Sequence, residues 1–184
     1  MVILGVDPGT LITGYGIIES RGGQVKILAC GAVNNTSHQA MPVRLKHIYE
    51  TLNGIITKFR PDEFAIETAF YGKNAQSALK LGHARGVAML AAVEREIPTS
   101  EYSPREVKKA IVGNGTASKE QVQYMIRSLL RLKEAPRKYD ITDALAVAIC
   151  HMHRVGSRST RPKSWKSYVK AHPEKIARPA RKLR

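Results

Sequence analysis

The spacing of apolar residues changes near residue 40, and this change limits the possible folds more than any other feature of the chain. Before it, Val2–Val6 is a continuous apolar run, which is typical of a strand buried on both faces. Thr13–Glu19 and Val25–Val33 are predicted as the next two strands, with a turn at Arg21–Gly23. Because both connections are short, the sequence predicts three successive antiparallel strands.

Helices and strands alternate after residue 40. Apolar residues recur at helical spacing over Met41–Arg60, and Pro61 ends this predicted helix. The remaining predicted elements are a strand at Phe64–Thr68, a long helix at Asn74–Glu96, a strand at Thr99–Tyr102, a short helix after Ser103, a helix from Ser118 to about Leu132, and a helix from about Ile141 to Arg154. This order predicts an α/β fold, a five-stranded mixed sheet flanked by helices.

Positive charge is the strongest feature of the composition. The 184 residues include 30 Lys and Arg against 15 Asp and Glu, a formal charge of +15. This balance favours a polyanionic partner, nucleic acid first and an acidic membrane surface second. From Arg154 to Arg184 the chain has eleven basic residues and one acid, Glu174. We therefore predict a folded domain over residues 1–154 and a basic, flexible C-terminal tail over residues 155–184.

Cysteine content and the length of the apolar runs argue against several other classes of protein. Cys30 and Cys150 lie far apart, so neither a disulfide scaffold nor a zinc ribbon is expected, and both are predicted to be inert core residues. The first apolar run is cut short by Asp7-Pro8-Gly9, and the later ones are too short to span a bilayer. We expect a cytoplasmic protein.

Four carboxylates lie where the apolar pattern predicts burial. Asp7 ends the first strand, Glu67 ends a later one, and Asp140 and Asp143 open the last helix. Each has a structural explanation on its own, as a turn residue, an edge-strand acid or a pair of helix-capping acids. Taken together they predict a cluster, because adjacent parallel strands end at one sheet edge and a spacing of three places both helix acids near one face.

Such a cluster needs compensation, because an unpaired buried carboxylate costs several kcal/mol. Hard divalent cations prefer oxygen ligands, and the lack of a Cys pair or a paired His motif favours Mg²⁺ or Mn²⁺ over Zn²⁺. Two such ions about 4 Å apart activate water and stabilise the leaving oxygen in phosphodiester cleavage. In a basic protein this combination predicts a nuclease.

Several motifs, taken in order, closely resemble the RuvC family of bacterial Holliday junction resolvases. They are Gly5–Thr10 with Gly14-Tyr15-Gly16, Glu67–Asn74, Ser77–Val87, Val112–Gly115 and Asp140–Ala146. The first motif alone is weak, because sugar kinases and actin-like ATPases share its form. The ordered set is specific, and the resemblance runs from about residue 2 to residue 153.

The resemblance implies an RNase H-like fold, a homodimer, and Mg²⁺-dependent endonuclease action on four-way DNA junctions in recombination and repair. The family's catalytic, metal-binding acids fall on Asp7, Glu67, Asp140 and Asp143. Two Mg²⁺ ions per site are expected, for which Mn²⁺ could substitute. Family members nick two opposed strands symmetrically, and they work with the RuvA–RuvB branch-migration complex. Products with 5′-phosphate and 3′-hydroxyl ends are expected.

The resemblance also bears on basic and aromatic residues. Lys108 and Lys119 match family lysines near the scissile phosphate, where a cation offsets transition-state charge; an ordinary solvated lysine is the alternative. An aromatic residue after the Glu67 strand could stack on an unpaired base or could face the core. The residues predicted to bind DNA are Phe70, Tyr71, Lys73 and Arg85.

Further features have two explanations each. Gly82 and Gly86 could pack closely on the protein's own sheet or could form a helix–helix contact in a dimer. His151 could interact with the dipole at the C-terminus of its helix, which is the more common arrangement, or could act as a ligand. In the tail, Trp165 and Tyr168 alternate with lysines, which favours nucleic-acid binding over a merely solvated segment.

Three other functions remain open at this point. The Gly5–Thr10 motif is compatible with an actin-like or sugar-kinase ATPase, although such proteins need about twice this length. The basic tail is compatible with a non-enzymatic nucleic-acid binder, which leaves the four acids unexplained. The order of the acids also fits an RNase H-like nuclease that cuts RNA in a hybrid, and comparing hybrid with junction substrates would separate the two.

Overall fold

The computed structural model describes residues 1–68, 75–132, 134, 136 and 138–160. For residues 157–160 it describes the backbone alone. Contacts divide the chain into two compact units, Met1–His153 and Arg154–Arg184, and every strand belongs to the first. The elements are β1 (Val2–Asp7), β2 (Ile12–Arg21), β3 (Gln24–Asn34), α1 (Met41–Phe59), β4 (Glu63–Glu67), α2 (Ala75–Val93), β5 (Thr99–Tyr102), α3 (Pro104–Val112), α4 (Lys119–Leu129) and α5 (Tyr139–Thr160).

The strands form one five-stranded mixed sheet in the order β3-β2-β1-β4-β5, which confirms the predicted α/β fold. β1, β2 and β3 are antiparallel neighbours, whereas β1, β4 and β5 run parallel. In the β1–β4 pair Val6 lies opposite Ile66. Asp7 and Glu67, each the next residue of its strand, therefore end side by side at one edge of the sheet.

Side chains of a strand alternate between the two faces of the sheet, so β1 contributes to two separate cores. Ile3 belongs to the core formed with α3, α4 and α5. Leu4 and Val6 belong to the core formed with α1 and α2. Apolar burial on both faces explains why β1 has no polar residue before Asp7.

α5 lies directly on glycines of β1 and β2. A Cβ on Gly5 would lie 2.3 Å from the Ala144 carbonyl oxygen, and a Cβ on Gly14 would lie 2.0 Å from that of Asp140. Any larger residue at these positions would have to displace the helix backbone. Because Gly14 is opposite Asp7 in the β1–β2 pair, this close approach places the first turn of α5 beside the end of β1.

The ends of the later helices agree only in part with the sequence analysis. Ser103 and Ser118 form capping boxes at the starts of α3 and α4, as the sequence predicts for these N-caps. α4 ends at Leu129 instead of Leu132, and Arg131 adopts a left-handed φ of 50°. α5 continues to Thr160, beyond its predicted end.

Cys150 is buried as predicted, whereas the core prediction for Cys30 is wrong. Cys30 is exposed because it lies on β3, the edge strand of the sheet. None of the described helices combines the length and apolar character that crossing a membrane requires.

Candidate active site

Three carboxylates from three different elements face one cavity at the carboxyl edge of the parallel strands. Asp7 comes from β1, Glu67 from β4 and Asp143 from the second turn of α5, and the cavity has a volume of about 310 Å³. Lys108 of α3 and Lys119 of α4 line the same cavity. The remaining lining residues are Pro8, Thr68, Leu81, Pro104, Val107 and Val122.

The turn after β1 positions Asp7 against this cavity. The Thr13 hydroxyl donates to the Gly9 carbonyl oxygen at 2.6 Å and accepts from the Gly9 amide at 3.3 Å. Gly9 is also packed tightly, because a Cβ there would lie 2.2 Å from the Ile12 carbonyl oxygen. The Asp7-Pro8-Gly9 turn is therefore held by both backbone packing and a buried side chain.

A second anchor holds the Glu67 side of the cavity. The backbone amide of Thr68 donates to the Tyr102 carbonyl oxygen at 2.8 Å, which extends the pairing of β4 with β5 past Glu67. The Thr68 hydroxyl donates to the same oxygen at 3.3 Å. The Glu67 backbone therefore lies within a paired strand and its position is fixed by the sheet.

Burial and mutual repulsion make the ionised acids unfavourable. Burial, and then the charges of the neighbouring carboxylates, raise the pKa of Asp7 to about 8. Burial, and then the charge of Asp143, raise the pKa of Glu67 to about 7. The pKa of Asp143 is also raised, mainly by burial, while its hydrogen bond with Lys119 acts in the opposite direction.

Asp140 occupies a different position from the other three acids. It does not line the cavity, and its backbone lies against Gly14. Its negative charge nevertheless raises the pKa values of Asp7 and Asp143. The structure therefore brings Asp7, Glu67 and Asp143 together and leaves Asp140 at their margin.

The two lysines differ in their contacts. The Lys119 ammonium lies 3.1 Å from Asp143 Oδ2 and 5.8 Å from the centre of the Tyr139 ring. Burial favours the neutral amine, but the hydrogen bond to Asp143 and the nearby carboxylates outweigh it and raise the pKa of Lys119. Lys108 forms no ion pair with any described residue, although its charge lowers the pKa values of Glu67 and Asp143.

The acids suit a divalent cation by their chemistry. Carboxylate oxygens are the preferred ligands of hard cations, and a cation would relieve the repulsion that raises the pKa values of Asp7 and Glu67. Within the described part of the chain, however, no three Asp, Glu, His or Cys side chains lie close enough together to hold an ion. Asp143 is paired with Lys119, so the donors face one cavity without forming a finished coordination shell.

The remaining predicted residues lie elsewhere. Arg85 of α2 forms an ion pair with Glu101 of β5 and does not line the cavity. Phe70, Tyr71 and Lys73 lie outside the described residues.

Gly82 and Gly86 do not pack on the protein's own sheet. A Cβ at either position would meet no heavy atom within 4 Å among the described residues. Both glycines therefore lie on the outer face of α2, and the first of the two explanations from the sequence analysis is excluded.

The contacts of Tyr139 and His151 were not predicted from the sequence. Tyr139 lies beside Lys119, and the only signal was an aromatic residue directly before Asp140. His151 is buried, with Nδ1 2.7 Å from the Tyr102 hydroxyl and Nε2 3.4 Å from Glu63 Oε2. The available signal in the sequence was a histidine within an almost wholly apolar helix segment, where a buried side chain is expected.

Comparison with known proteins connects this site to one family. The family model described as crossover junction endodeoxyribonuclease RuvC matches residues 3–151. A protein of that name from Salinibacter ruber is 44% identical over 181 residues, covering 96% of this chain and 99% of its own. Another, from Shewanella sp. strain MR-4, is 53% identical over 152 residues, covering 83% of this chain and 87% of its own.

A solved structure gives the same result. Thermus thermophilus RuvC, in complex with a Holliday junction substrate, matches with a TM-score of 0.80 and 35% sequence identity over 85% of this chain and 97% of that one. The predicted RNase H-like fold is thereby confirmed, and the matching family is one of divalent-metal-dependent nucleases. By sequence over most of its length and by fold, the chain belongs to the RuvC family of crossover junction endodeoxyribonucleases.

Proposed function

We propose that this chain resolves four-way DNA junctions by metal-dependent hydrolysis of two opposed strands. The convergence of Asp7, Glu67 and Asp143 with two lysines around one cavity carries this proposal. The solved relative bound to a Holliday junction supports the same substrate here. Symmetric nicks would leave 5′-phosphate and 3′-hydroxyl ends, in recombination and repair.

Mg²⁺ is the proposed cofactor, two ions per site, with Mn²⁺ able to substitute. Asp7, Glu67, Asp140 and Asp143 would hold the ions, because all four supply oxygen ligands where β1, β4 and α5 meet. When bound, such ions supply an activated water and stabilise the leaving oxygen. The effect of Asp140 on the pKa values of Asp7 and Asp143 supports its inclusion.

Lys108 and Lys119 are proposed to bind the scissile phosphate. Both ammonium groups belong to helices that border the cavity, so their charge reaches the same volume as the three acids. Because water is partly excluded, the attraction between these ammonium groups and the phosphate is stronger, and it favours the more negative transition state over the ground state. Neither lysine needs to transfer a proton in this role.

Further DNA contacts are proposed for Phe70, Tyr71 and Lys73. Phe70 would stack on a base unpaired at the junction centre, with Tyr71 and Lys73 as further contacts. Arg85 is the proposed phosphate contact on α2, and DNA would have to compete there with Glu101.

A homodimer is proposed through the outer face of α2. Gly82 and Gly86 are open there, and Leu79 and Leu90 on the same helix are 66% and 51% exposed. Small residues let two helix backbones approach closely, and exposed leucines supply apolar area. Two active sites related by a two-fold axis would suit a junction with the same symmetry.

The basic residues after Arg154 are proposed to form a tail that binds nucleic acid without sequence preference, following a nuclease domain of residues 1–154. The composition supports this, with Trp165 and Tyr168 among lysines. A cytoplasmic location and cooperation with the RuvA–RuvB complex complete the proposal and rest on family membership.

The decisive test is cleavage of a synthetic four-way junction with a mobile homologous core, with products mapped on all four strands. A matching duplex and an RNA–DNA hybrid serve as controls, and Mg²⁺ is added or withheld. Paired, symmetric nicks on the junction alone, and only with the metal, are expected. Binding without cleavage in Mg²⁺ or Mn²⁺ would contradict the enzymatic proposal, and preferential cutting of the hybrid would contradict the substrate.

A further inference from the structure

Lys119, in the first turn of α4, reaches across the cavity to Asp143 in the second turn of α5. Its ammonium lies 3.1 Å from Asp143 Oδ2 and 5.8 Å from the centre of the Tyr139 ring, so a carboxylate and an aromatic face both attract it. The Lys119 side chain is 60% exposed, whereas the Asp143 side chain is only 18% exposed. The lysine therefore reaches from solvent to an acid that is largely withdrawn from it.

Lys108 provides the contrast. It lines the same cavity and also carries a positive charge, but it forms no ion pair with any carboxylate of the described residues. The two lysines therefore share a location and differ in contact. Only Lys119 occupies one of the oxygen atoms with which Asp143 would bind a metal.

We propose that Lys119 is an exchangeable counter-ion of Asp143, which it neutralises until a divalent cation displaces it. The proposal rests on the metal site proposed above. Because an exposed lysine is free to rotate, the exchange requires no backbone movement. The displaced ammonium stays at the cavity mouth, where a phosphate becomes its new partner. Loading of metal and binding of DNA are thereby linked through one side chain.

Competition from Lys119 should weaken the binding of the metal by a measurable factor. Partly exposed ion pairs contribute roughly 0.2–1 kcal/mol, which corresponds to about a 1.4- to 5-fold weakening of metal binding by competition. Removing any nearby positive charge also strengthens the binding of a metal cation, because it removes long-range repulsion. The contribution of direct contact is therefore the excess of the effect at Lys119 over the effect at Lys108.

The test is a titration of the full chain with Mn²⁺ in the absence of DNA, with free Mn²⁺ followed by electron paramagnetic resonance. Wild type, Lys119→Met, Lys108→Met and Asp143→Asn are compared at one pH and one salt concentration. Lys119→Met is expected to bind Mn²⁺ about 1.4- to 5-fold more tightly than Lys108→Met. Lys119→Arg, which keeps a cation of similar reach, is expected to bind Mn²⁺ no more tightly than wild type.

Each other outcome identifies what is wrong. Equal affinities in Lys119→Met and Lys108→Met, with weaker binding in Asp143→Asn, would overturn the exchange and leave the metal site intact. A wild type that binds no Mn²⁺, or an Asp143→Asn variant that binds it as well as wild type, would overturn the metal site and the exchange together. Tighter binding in Lys119→Arg would also exclude competition by a cation at Asp143.

Discussion

The two faces of the sheet pack their helices in opposite ways. On one face, α5 lies against glycines, and its backbone touches the strands at Gly5 and Gly14. On the other face, large aliphatic side chains such as Leu4 and Ile17 separate the strands from α1 and α2. Apolar side chains fill the second face, whereas on the first face Gly5 and Gly14 interrupt the apolar packing, so that α5 can bring its acids to the sheet edge.

The charged cavity residues belong to one face of the sheet, and the other face contributes to stability alone. We call the face of the sheet that packs against α3, α4 and α5 the glycine face, and the face that packs against α1 and α2 the aliphatic face. The acids and lysines of the cavity come from β1, from β4 and from helices of the glycine face. The aliphatic face buries Ile48, Leu52 and Ile56 of α1 and contributes none of the five charged cavity residues. Substitutions on the two faces should therefore differ in kind, affecting cleavage on one and only stability on the other.

The largest effect is expected from removing the chemistry of the glycine face without disturbing its packing. Asp7→Asn keeps the size of the side chain and loses the charge of a proposed metal ligand, so cleavage should fall by about a thousandfold while junction binding persists. Cleavage and gel-shift assays with one junction measure both. Asp62→Asn, at the opposite end of β4, is the matched control and should cleave normally. Loss of binding together with cleavage would show that Asp7 is not purely catalytic.

Gly14→Ala tests the close approach itself. The new Cβ would lie 2.0 Å from the Asp140 carbonyl oxygen, so the first turn of α5 must move away from Asp7. We expect a loss of about 3 kcal/mol in the free energy of unfolding, at the upper end for overpacking, and about a hundredfold loss of cleavage. Urea unfolding and cleavage rates measure the two effects. Wild-type cleavage in this variant would contradict the role assigned to the glycine.

Leu52→Ala makes the complementary change on the aliphatic face. Leu52 is fully buried between α1 and the sheet, so its truncation should reduce the free energy of unfolding by about 3 kcal/mol. Cleavage per folded molecule should remain unchanged, because the cavity has no residue from α1. The comparison of the faces would fail if cleavage decreased as strongly as in Gly14→Ala.

A pH series measures the charge that the glycine face gathers. The folded-state pKa values of Asp7 and Glu67, about 8 and 7, lie above those of unfolded acids. The folded chain therefore holds protons that the unfolded chain has released, and the stability contributed by these groups falls as pH rises from about 4 to 8. Without metal, Asp7→Asn should exceed wild type in unfolding free energy at pH 8 by about 1–3 kcal/mol, and less at pH 5.

Urea unfolding at several pH values, with and without Mg²⁺, carries out this measurement. Mg²⁺ should stabilise wild type more at pH 8 than at pH 5, because the ionised acids are its proposed ligands. A difference between wild type and Asp7→Asn that does not change with pH would mean that Asp7 is not the group that titrates.

The smallest expected effect comes from the same glycine-to-alanine change on the other side of the molecule. A Cβ on Gly54 of α1 would meet no described atom within 4 Å. Gly54→Ala should therefore stabilise the protein by about 0.5–1 kcal/mol through helix propensity and leave cleavage unchanged. Thermal unfolding is the measurement. Destabilisation here would mean that this part of α1 is covered by another surface.

Local sequence signals were sufficient for the fold. The change of period predicted the three antiparallel strands, and Ser103 and Ser118 identified the starts of α3 and α4. The end of α4 was harder to predict, because Leu130 and Leu132 continue the apolar pattern after the helix has ended. The exposure of Cys30 could not be predicted either, because the sequence does not show which strand lies at the edge of the sheet.

Three of the four predicted acids line the cavity, Asp140 does not, and the contacts of these acids could not be predicted from the sequence. Burial of Asp7, Glu67 and Asp143 follows from apolar neighbours and strand ends, which are local features. The pairing of Lys119 with Asp143 and of Arg85 with Glu101 depends on how helices and strands that are distant in sequence approach each other. No spacing rule connects these partners, so three-dimensional packing alone reveals them.

The position of α5 on its glycines also has a consequence for synthesis of the chain. Asp7 is synthesised more than a hundred residues before Asp143, which lies on the last described helix. Contacts between such distant segments form late, because a long loop must close first. A nascent chain that still lacks α5 therefore holds only Asp7 and Glu67 of the four acids proposed to bind metal, and the proposed active site is complete only when α5 has been made and has docked.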